Sequence, residues 1–326
     1  MADQPLRRCS GRLRGAGSDF FAGRAQSRAV RALFMLAIVA LIVMKLDLGA
    51  VSQLLRGFDL LHAIGMLGVS LALLTLFAWR WQLIANGLGY VAGYRQFLRA
   101  LWLSQAAGEL GPALVVGELT RFKSMQGQGD RGSLLLSQAV DRWSGNVVLL
   151  LLVIALLPAY LPLYGQLLPP VNRPAAAMML VFAGSIGLIG LYQLWRRWPG
   201  GRAYAVRVCA VCNPLRHPGH YAVSLVIQGL LVTNLVLAAS GLGLDAQLGA
   251  VMLAGPLLLL GIGLLPGLIS DWGKREATVV LLLAPAGLLP EQSLAISLLF
   301  GLSHLLSALP GVFLLTRLNA AKAGAE

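Results

Sequence analysis

The amino-acid sequence predicts an all-α, polytopic integral membrane protein of six to eight transmembrane helices. Three observations carry that expectation. Of the 326 residues, 57% are hydrophobic and 12% charged, against about 45–50% and about 25% in soluble domains. The apolar residues fall into repeated runs of the length a bilayer demands, about 20 residues per helix. The charge is lopsided, 26 Lys and Arg against 13 Asp and Glu, and the excess base lies between the apolar runs, where membrane topology puts it. A water-soluble globule is excluded, and no nucleic-acid partner is expected. Three cysteines cannot build a disulfide framework and read as free thiols, two of them in a segment expected to be cytoplasmic.

In chain order, residues 1–28 read as a basic, disordered tail attracted to anionic headgroups. The apolar stretch at 30–48 follows a long Arg-rich leader with no small-residue cleavage site after it, so it reads as an uncleaved anchor rather than a signal peptide. Five further spans are expected at 58–79, 143–161, 175–195, 221–240 and 293–315. Residues 29–317 then form one transmembrane domain with halves of about 29–165 and 175–317, and 318–326 form a short tail. Residues 1–31 and 196–217 each carry a net charge of +5. The positive-inside rule makes both cytoplasmic, adds Arg80, Arg95 and Arg99 as a further cytoplasmic loop, and puts both termini inside a bacterial-type inner membrane.

Two regions do not read as simple spans. Residues 97–117 have base on both flanks and Gly111-Pro112 in the middle, which describes a re-entrant segment. Non-helical backbone at membrane depth is tolerated where protein or a wet cavity satisfies it, so the break predicts a cavity. Residues 248–289 are interrupted at Pro266-Gly267 and by the run from Asp271 to Glu276, and 277–289 is short for a span. This second region reads either as two spans with Lys274 and Arg275 at the cytoplasmic face, or as a hairpin dipping from outside. Each break runs from a proline through an apolar step to a glycine, Gly117 or Gly273, followed by base and carboxylate. Pro112 and Pro266 stand 154 positions apart, close to half the chain. Corresponding broken segments in two halves point to a transporter's midplane site and an inverted repeat.

Ala78-Trp-Arg80-Trp81, Gly111-Pro112, Gly117-Glu118-Leu-Thr-Arg121 and Gln138-Ala-Val-Asp141-Arg142-Trp-Ser-Gly145 resemble the lysylphosphatidylglycerol synthase transmembrane, or flippase-like, family. Leu265-Pro266, Trp272-Gly273-Lys274-Arg275-Glu276 and Leu298-Leu-Phe-Gly301-Leu are similar to its second half. The sequence departs from the family at Val116-Gly117 and Ser270-Asp271, where glycine pairs are usual. The full-length synthases carry a soluble aminoacyl-transferase domain after the membrane part, whereas this sequence ends at Glu326, so lysine transfer is not implied. The resemblance implies the flippase half of that work: moving a lipid or lipid-linked sugar between leaflets, on a fold of spans plus paired re-entrant helices. An anionic lipid or lipid-linked substrate is the expected partner, no cofactor or metal is expected, and the chain is a candidate homo-oligomer.

Charge inside a membrane is costly, about 2.5–3.5 kcal/mol per group on insertion scales, so each intramembrane charge is a functional candidate. Glu118 and Arg121, at i and i+3, share a helix face, and an arginine fork suits a phosphate. Lys274, Arg275 and Glu276 form the second candidate, with Asp271 one turn before Arg275. Asp141 and Arg142 form the third, with Gln138 on the Asp141 face. Structural ion pairs, a mixed-charge loop and a snorkelling Arg142 are the respective plain alternatives. Cys209, Cys212 and His217 are too closely spaced for a finger-type zinc site. His304 and Asn234 are expected to bond neighbouring helices. A lipid or polyprenyl-phosphate transferase and a non-transporting scaffold of lipid synthesis are the rival functions. The first commonly needs clustered carboxylates for a metal, and the second has no need of broken backbone at membrane depth.

Overall fold

The computed structural model describes residues 48–109, 116–127, 129–164, 201–264 and 273–314. The predicted tails, most of the span at 30–48, the span at 175–195 and the breaks at Gly111, Pro112, Pro266 and Gly267 lie outside the described residues, as do Asp271 and Trp272. Among the described residues the elements are helical: α1 (Leu48–Arg56), α2 (Leu60–Gly87), α3 (Tyr94–Glu109), α4 (Glu118–Met125), α5 (Arg131–Ala155), α6 (Leu157–Tyr164), α7 (Gly201–Val211), α8 (Pro218–Gly241), α9 (Leu248–Leu264), α10 (Lys274–Leu283) and α11 (Pro290–Ser307). Five described segments are long and apolar enough to cross a membrane: Leu60–Gly87, Arg131–Ala155, Gly219–Gly241, Asp245–Gly263 and Pro290–Leu314.

Local chemistry sets the helix starts. Asp59 accepts the His62 N–H at 3.3 Å to open α2, and Asp130 accepts the Ser133 N–H at 2.8 Å to open α5, each satisfying an amide with no partner in the first turn. Pro218 and Pro290 occupy the first turns of α8 and α11, where a missing N–H costs nothing. Two spans are longer than expected. α2 continues eight residues past Trp79, and α5 begins twelve residues before Trp143. In both cases the sequence boundary was drawn at charged residues, Arg80 in one and Asp141-Arg142 in the other, that the helix carries into the protein.

α2 and α8 form the antiparallel centre. The Asp59 N–H donates to the Gly241 carbonyl at 3.3 Å, and at the opposite end Leu83 lies against Gly219. α3 leaves the end where α2 finishes and packs on α4, which returns there, since the Tyr90 hydroxyl donates to the Met125 carbonyl. α9 starts where α8 finishes and packs on α10, whose Leu283, together with Leu288, joins Leu244 and Val251 in one apolar cluster. Two helical hairpins therefore enter from opposite ends of the bundle. This contact pattern also decides between the two readings of 248–289. α10 has ten residues, about 15 Å, so it is the returning arm of a hairpin and not a span. Against the positive-inside reading of Lys274 and Arg275 as a cytoplasmic face, Arg275 is buried in the first turn of α10.

Polar side chains join the helices across the interior. Asn234 of α8 donates to Ser70 of α2 at 2.9 Å and to Ser303 of α11 at 3.2 Å, as expected of an amide in an apolar span. His304 contacts the Phe300 carbonyl of its own helix at 2.9 Å. Gln105 of α3 donates to the His304 carbonyl at 2.9 Å, which ties the first hairpin to α11. Nearby, Gly311, in the helical turn after α11, lies so close to the Trp102 carbonyl of α3 that a Cβ would overlap it. Replacing it by alanine pushes on backbone, which does not yield as a side chain does. Gly311→Ala is expected to cost about 1–3 kcal/mol, read as a lowered melting temperature in detergent, whereas Gly68→Ala, with open space around its Cβ, leaves melting unchanged.

Candidate functional site

The first hairpin carries a five-residue charged cluster. Asp141, in the middle of α5, accepts from Arg80 Nε of α2 at 2.8 Å on one carboxylate oxygen and from Arg121 Nη2 of α4 at 3.2 Å on the other. Glu118 Oε1 accepts from Arg121 Nη1 at 3.5 Å and from Arg142 Nη2 at 2.7 Å. Arg80, Arg121 and Asp141 are buried, their side chains 5%, 8% and 6% exposed, while Arg142 is half exposed and Glu118 intermediate. Burial thus grades from the outer Arg142–Glu118 pair inward to the Arg121–Asp141–Arg80 triad.

Helix packing builds this arrangement from three sequence segments. The Arg121 guanidinium lies 4.1 Å over the Trp81 ring, and Trp81 is fixed by its indole N–H donating to Ser137 at 2.9 Å and by an edge contact with Phe97. Arg80 Nη1 also donates to Ser224 of α8 at 3.2 Å and runs close to Gly145, where a Cβ would come within 3.0 Å of it. The expectation that Arg80 lies in a cytoplasmic loop is therefore corrected. A guanidinium bound to a carboxylate inside the protein adds nothing to the charge outside. The expectation of a snorkelling Arg142 is also revised, because Arg142 pairs with Glu118.

The sequence pairing of Glu118 with Arg121 is present, but the closer partner of each lies on α5. Gly117 has helical torsions, φ −62° and ψ −54°, and packs on Ser104 of α3. Three guanidinium groups face two carboxylates here, a net charge of +1. In addition Arg121 Nε and the Gln138 amide nitrogen are buried donors without a hydrogen-bond partner among the described residues. Buried donors in native proteins are nearly always met, so among the described residues this cluster lacks an acceptor and has the sign to attract an anion.

The second hairpin carries a different arrangement. Gly273 takes φ +85°, a left-handed conformation that glycine adopts without strain, and its N–H donates to Glu276 at the start of α10. The other Glu276 oxygen accepts from Arg275 Nε at 3.0 Å, Arg275 Nη2 at 2.8 Å and Ser297 of α11 at 3.3 Å. The Arg275 guanidinium occupies the space left by Gly301, where any Cβ would overlap it. Lys274 begins the helix and is intermediate in burial. The structure thus brings Glu118, Arg121, Asp141 and Arg142 together, and Arg275 with Glu276, in two separate clusters. Sequence reading missed Arg80 as a site residue. The available signal was the unbroken helical run from Arg80 to Gly87.

A family model described as the lysylphosphatidylglycerol synthase TM region matches residues 28–311. The chain belongs to that family. The match covers both hairpins and the helices between them, and it is the membrane region alone. Comparisons with curated proteins and with solved structures return no match.

The two carboxylates of the first cluster are expected to differ in structural weight. Asp141→Asn leaves two buried guanidiniums short of charge and costs about 3–5 kcal/mol. Glu118→Gln loosens a half-exposed pair and leaves Arg121 with Asp141, costing about 0–1 kcal/mol. Thermal aggregation of purified variants checks the order, and equal losses would place the cluster's support elsewhere.

Proposed function

We propose that this chain is a flippase that moves an anionic phospholipid or lipid-linked sugar between the leaflets of a bacterial-type inner membrane. The observation that carries the reading is the net-positive cluster at the first hairpin, with Arg121 Nε and the Gln138 amide buried and unpartnered. A lipid phosphate supplies both the missing acceptor and the missing negative charge, and hydrogen bonds to charged groups are the strong kind. Arg142, the most exposed of the three arginines, meets the phosphate first. Glu118, held by Arg142 and within reach of Arg121, is the counter-ion that exchanges as the phosphate arrives. Arg275, Lys274 and Glu276 offer a second station at the other hairpin's tip, one that opens only if Glu276 releases the Arg275 fork. Membership of a lysylphosphatidylglycerol synthase membrane family supports a lipid substrate.

The reading places the basic end of the bundle in the cytoplasm. Among the described residues Arg95, Arg99, Lys123, Arg131, Arg207 and Arg216 stand at that end with Asp130 as an acid, and Asp59, Asp245 and Glu291 at the other, with Arg56 as its base. The positive-inside rule supports this orientation.

Two measurements test the proposal. Purified protein in vesicles is expected to move a fluorescent anionic phospholipid between leaflets. Arg121→Lys keeps the charge but loses the planar fork, and at about 1.5–3 kcal/mol for a lost charge-assisted bond the rate falls roughly 10–100-fold. Unchanged melting with full transfer in this variant sinks the phosphate reading. For topology, an impermeant maleimide applied to intact spheroplasts of a Cys9→Ser strain is expected to miss both remaining cysteines. After permeabilisation exposed Cys209 labels first, because burial, with Cys209 alongside, pushes the Cys212 thiol up to about 11 and leaves little thiolate to react. Ready labelling from outside inverts the orientation.

A further inference from the structure

A crevice of about 500 Å³ lies between α5, α8 and α9, walled by Leu152 and Leu156, by Gly229 and Val232, and by Met252 and Pro256. It is ligand-sized and almost wholly apolar. Leu225 and Met252 on its rim are 52% and 64% exposed, so in the membrane it opens sideways into hydrocarbon. Pro256 interrupts the α9 ladder here, since it has no N–H to donate to the Met252 carbonyl one turn earlier.

The inner wall of the crevice is polar at one residue. Gln228 is 5% exposed, donates weakly to the Gly145 carbonyl at 3.4 Å, and its side-chain oxygen has no partner among the described residues. Gly145 is the residue over which Arg80 lies. Ser224, one turn before Gln228 on α8, accepts from Arg80. The crevice therefore begins about 6 Å along α8 from a member of the charged network. From Gln228 it runs to Val236, about 12 Å, toward the acidic end of the bundle. Through the contacts of Arg80 and Gln228 with Gly145 the net-positive cluster adjoins a narrow apolar crevice, and the two match the parts of an amphiphile, charge to charge and chain to groove, with Gln228 an acceptor at the junction.

We infer that this crevice seats one acyl chain of an anionic glycerophospholipid whose phosphate is held at the Arg121 cluster. The inference rests on the proposed function and deepens it. The chain points away from the basic end, so the bound lipid keeps the orientation of a lipid in the leaflet at that end while its headgroup lies sunk toward mid-depth. Such a pose differs from a lipid merely lying against the protein, because the cluster and the crevice hold the head and the chain of one molecule.

Gly229 provides the test, because it lines the crevice and a Cβ built on it meets nothing within 4 Å: Gly229→Phe starts its ring from an unobstructed position and takes up crevice space. The full chain is placed in vesicles of phosphatidylglycerol and phosphatidylcholine with a phosphatidylglycerol carrying a diazirine in one acyl chain. Crosslinks are expected to concentrate on the segments 225–236 and 252–256. Gly229→Phe, and independently Thr233→Phe at the same wall, lower that labelling about tenfold, the ratio that 1.4 kcal/mol of lost binding gives. Leu61→Phe, on the exposed face of α2, leaves it unchanged, and melting in detergent verifies folding of all three. Labelling spread evenly over lipid-facing helices, or unaltered in both crevice variants, overturns the inference even where the wild type moves lipid. Concentrated, variant-sensitive labelling in a chain that moves no lipid upholds the acyl-chain site and overturns the flippase reading instead. Displacement of the label by polyprenyl phosphate but not by unlabelled phosphatidylglycerol overturns the assignment to an acyl chain.

Discussion

One carboxylate organises the interior of this protein. Among the described residues Asp141 is the one acid that touches both buried arginines of the first cluster, and each of those arginines comes from a different helix. A lone guanidinium or carboxylate removed from water carries a penalty of several kcal/mol, so neither Arg80 nor Arg121 is tolerable at its depth without Asp141, nor Asp141 without them. The pairing therefore fixes the rotation of α2, the depth of α4 and the register of α5 together. The neighbouring contacts follow from it: Trp81 is turned beneath Arg121, Ser224 is met by Arg80, and Gly145 is small because Arg80 passes over it.

The second constraint is the backbone. A hairpin that enters a membrane and turns back leaves carbonyls and amides that hydrocarbon cannot satisfy, so its tip has to be enclosed by protein or lie in a wet cavity. Here both hairpins are held against long spans by polar contacts. Gln105 reaches the His304 and Ser307 region of α11 from the first hairpin. Tyr160 and Tyr164 of α6 donate to the Leu253 and Leu282 carbonyls of the second at 2.9 and 2.7 Å. The charges near the tips are thus mounted on elements that are braced from the side, which is what a site for a charged group in a low-dielectric medium requires.

Fold class and the i, i+3 pair Glu118–Arg121 were legible in the sequence, because hydropathy and helical spacing are local properties. What was not legible has a common cause. Arg80 was read as loop charge, and Lys274 with Arg275 as a cytoplasmic face, because the positive-inside rule counts the sign of a residue and not whether a partner neutralises it. The partner of Arg80 is 61 positions away, and nothing in a single sequence joins the two. Arg275 is the opposite case: its acid is the next residue, and the obscured information was the depth of the helix start, which depends on α9 and α11 packing around it.

The two halves share a plan but not a chemistry. At the second hairpin Glu276 takes the Gly273 amide, the Arg275 fork and the Ser297 hydroxyl at once, so its charge and its hydrogen bonds are closed among near neighbours. At the first, the acids are shared between helices, the base outnumbers them by one, and two buried donors stay open. Inverted repeats with identical tips would attract an anion equally from both sides of the membrane. Sequence divergence at these tips breaks that equivalence: an anion entering from the end bearing α3 and α4 meets unsatisfied donors, and one entering from the end bearing α9 and α10 meets a pair that has to be opened. On the proposed reading the difference gives the transport path a loading side and a releasing side, set by which arginine finds its carboxylate within its own helix and which depends on its neighbours.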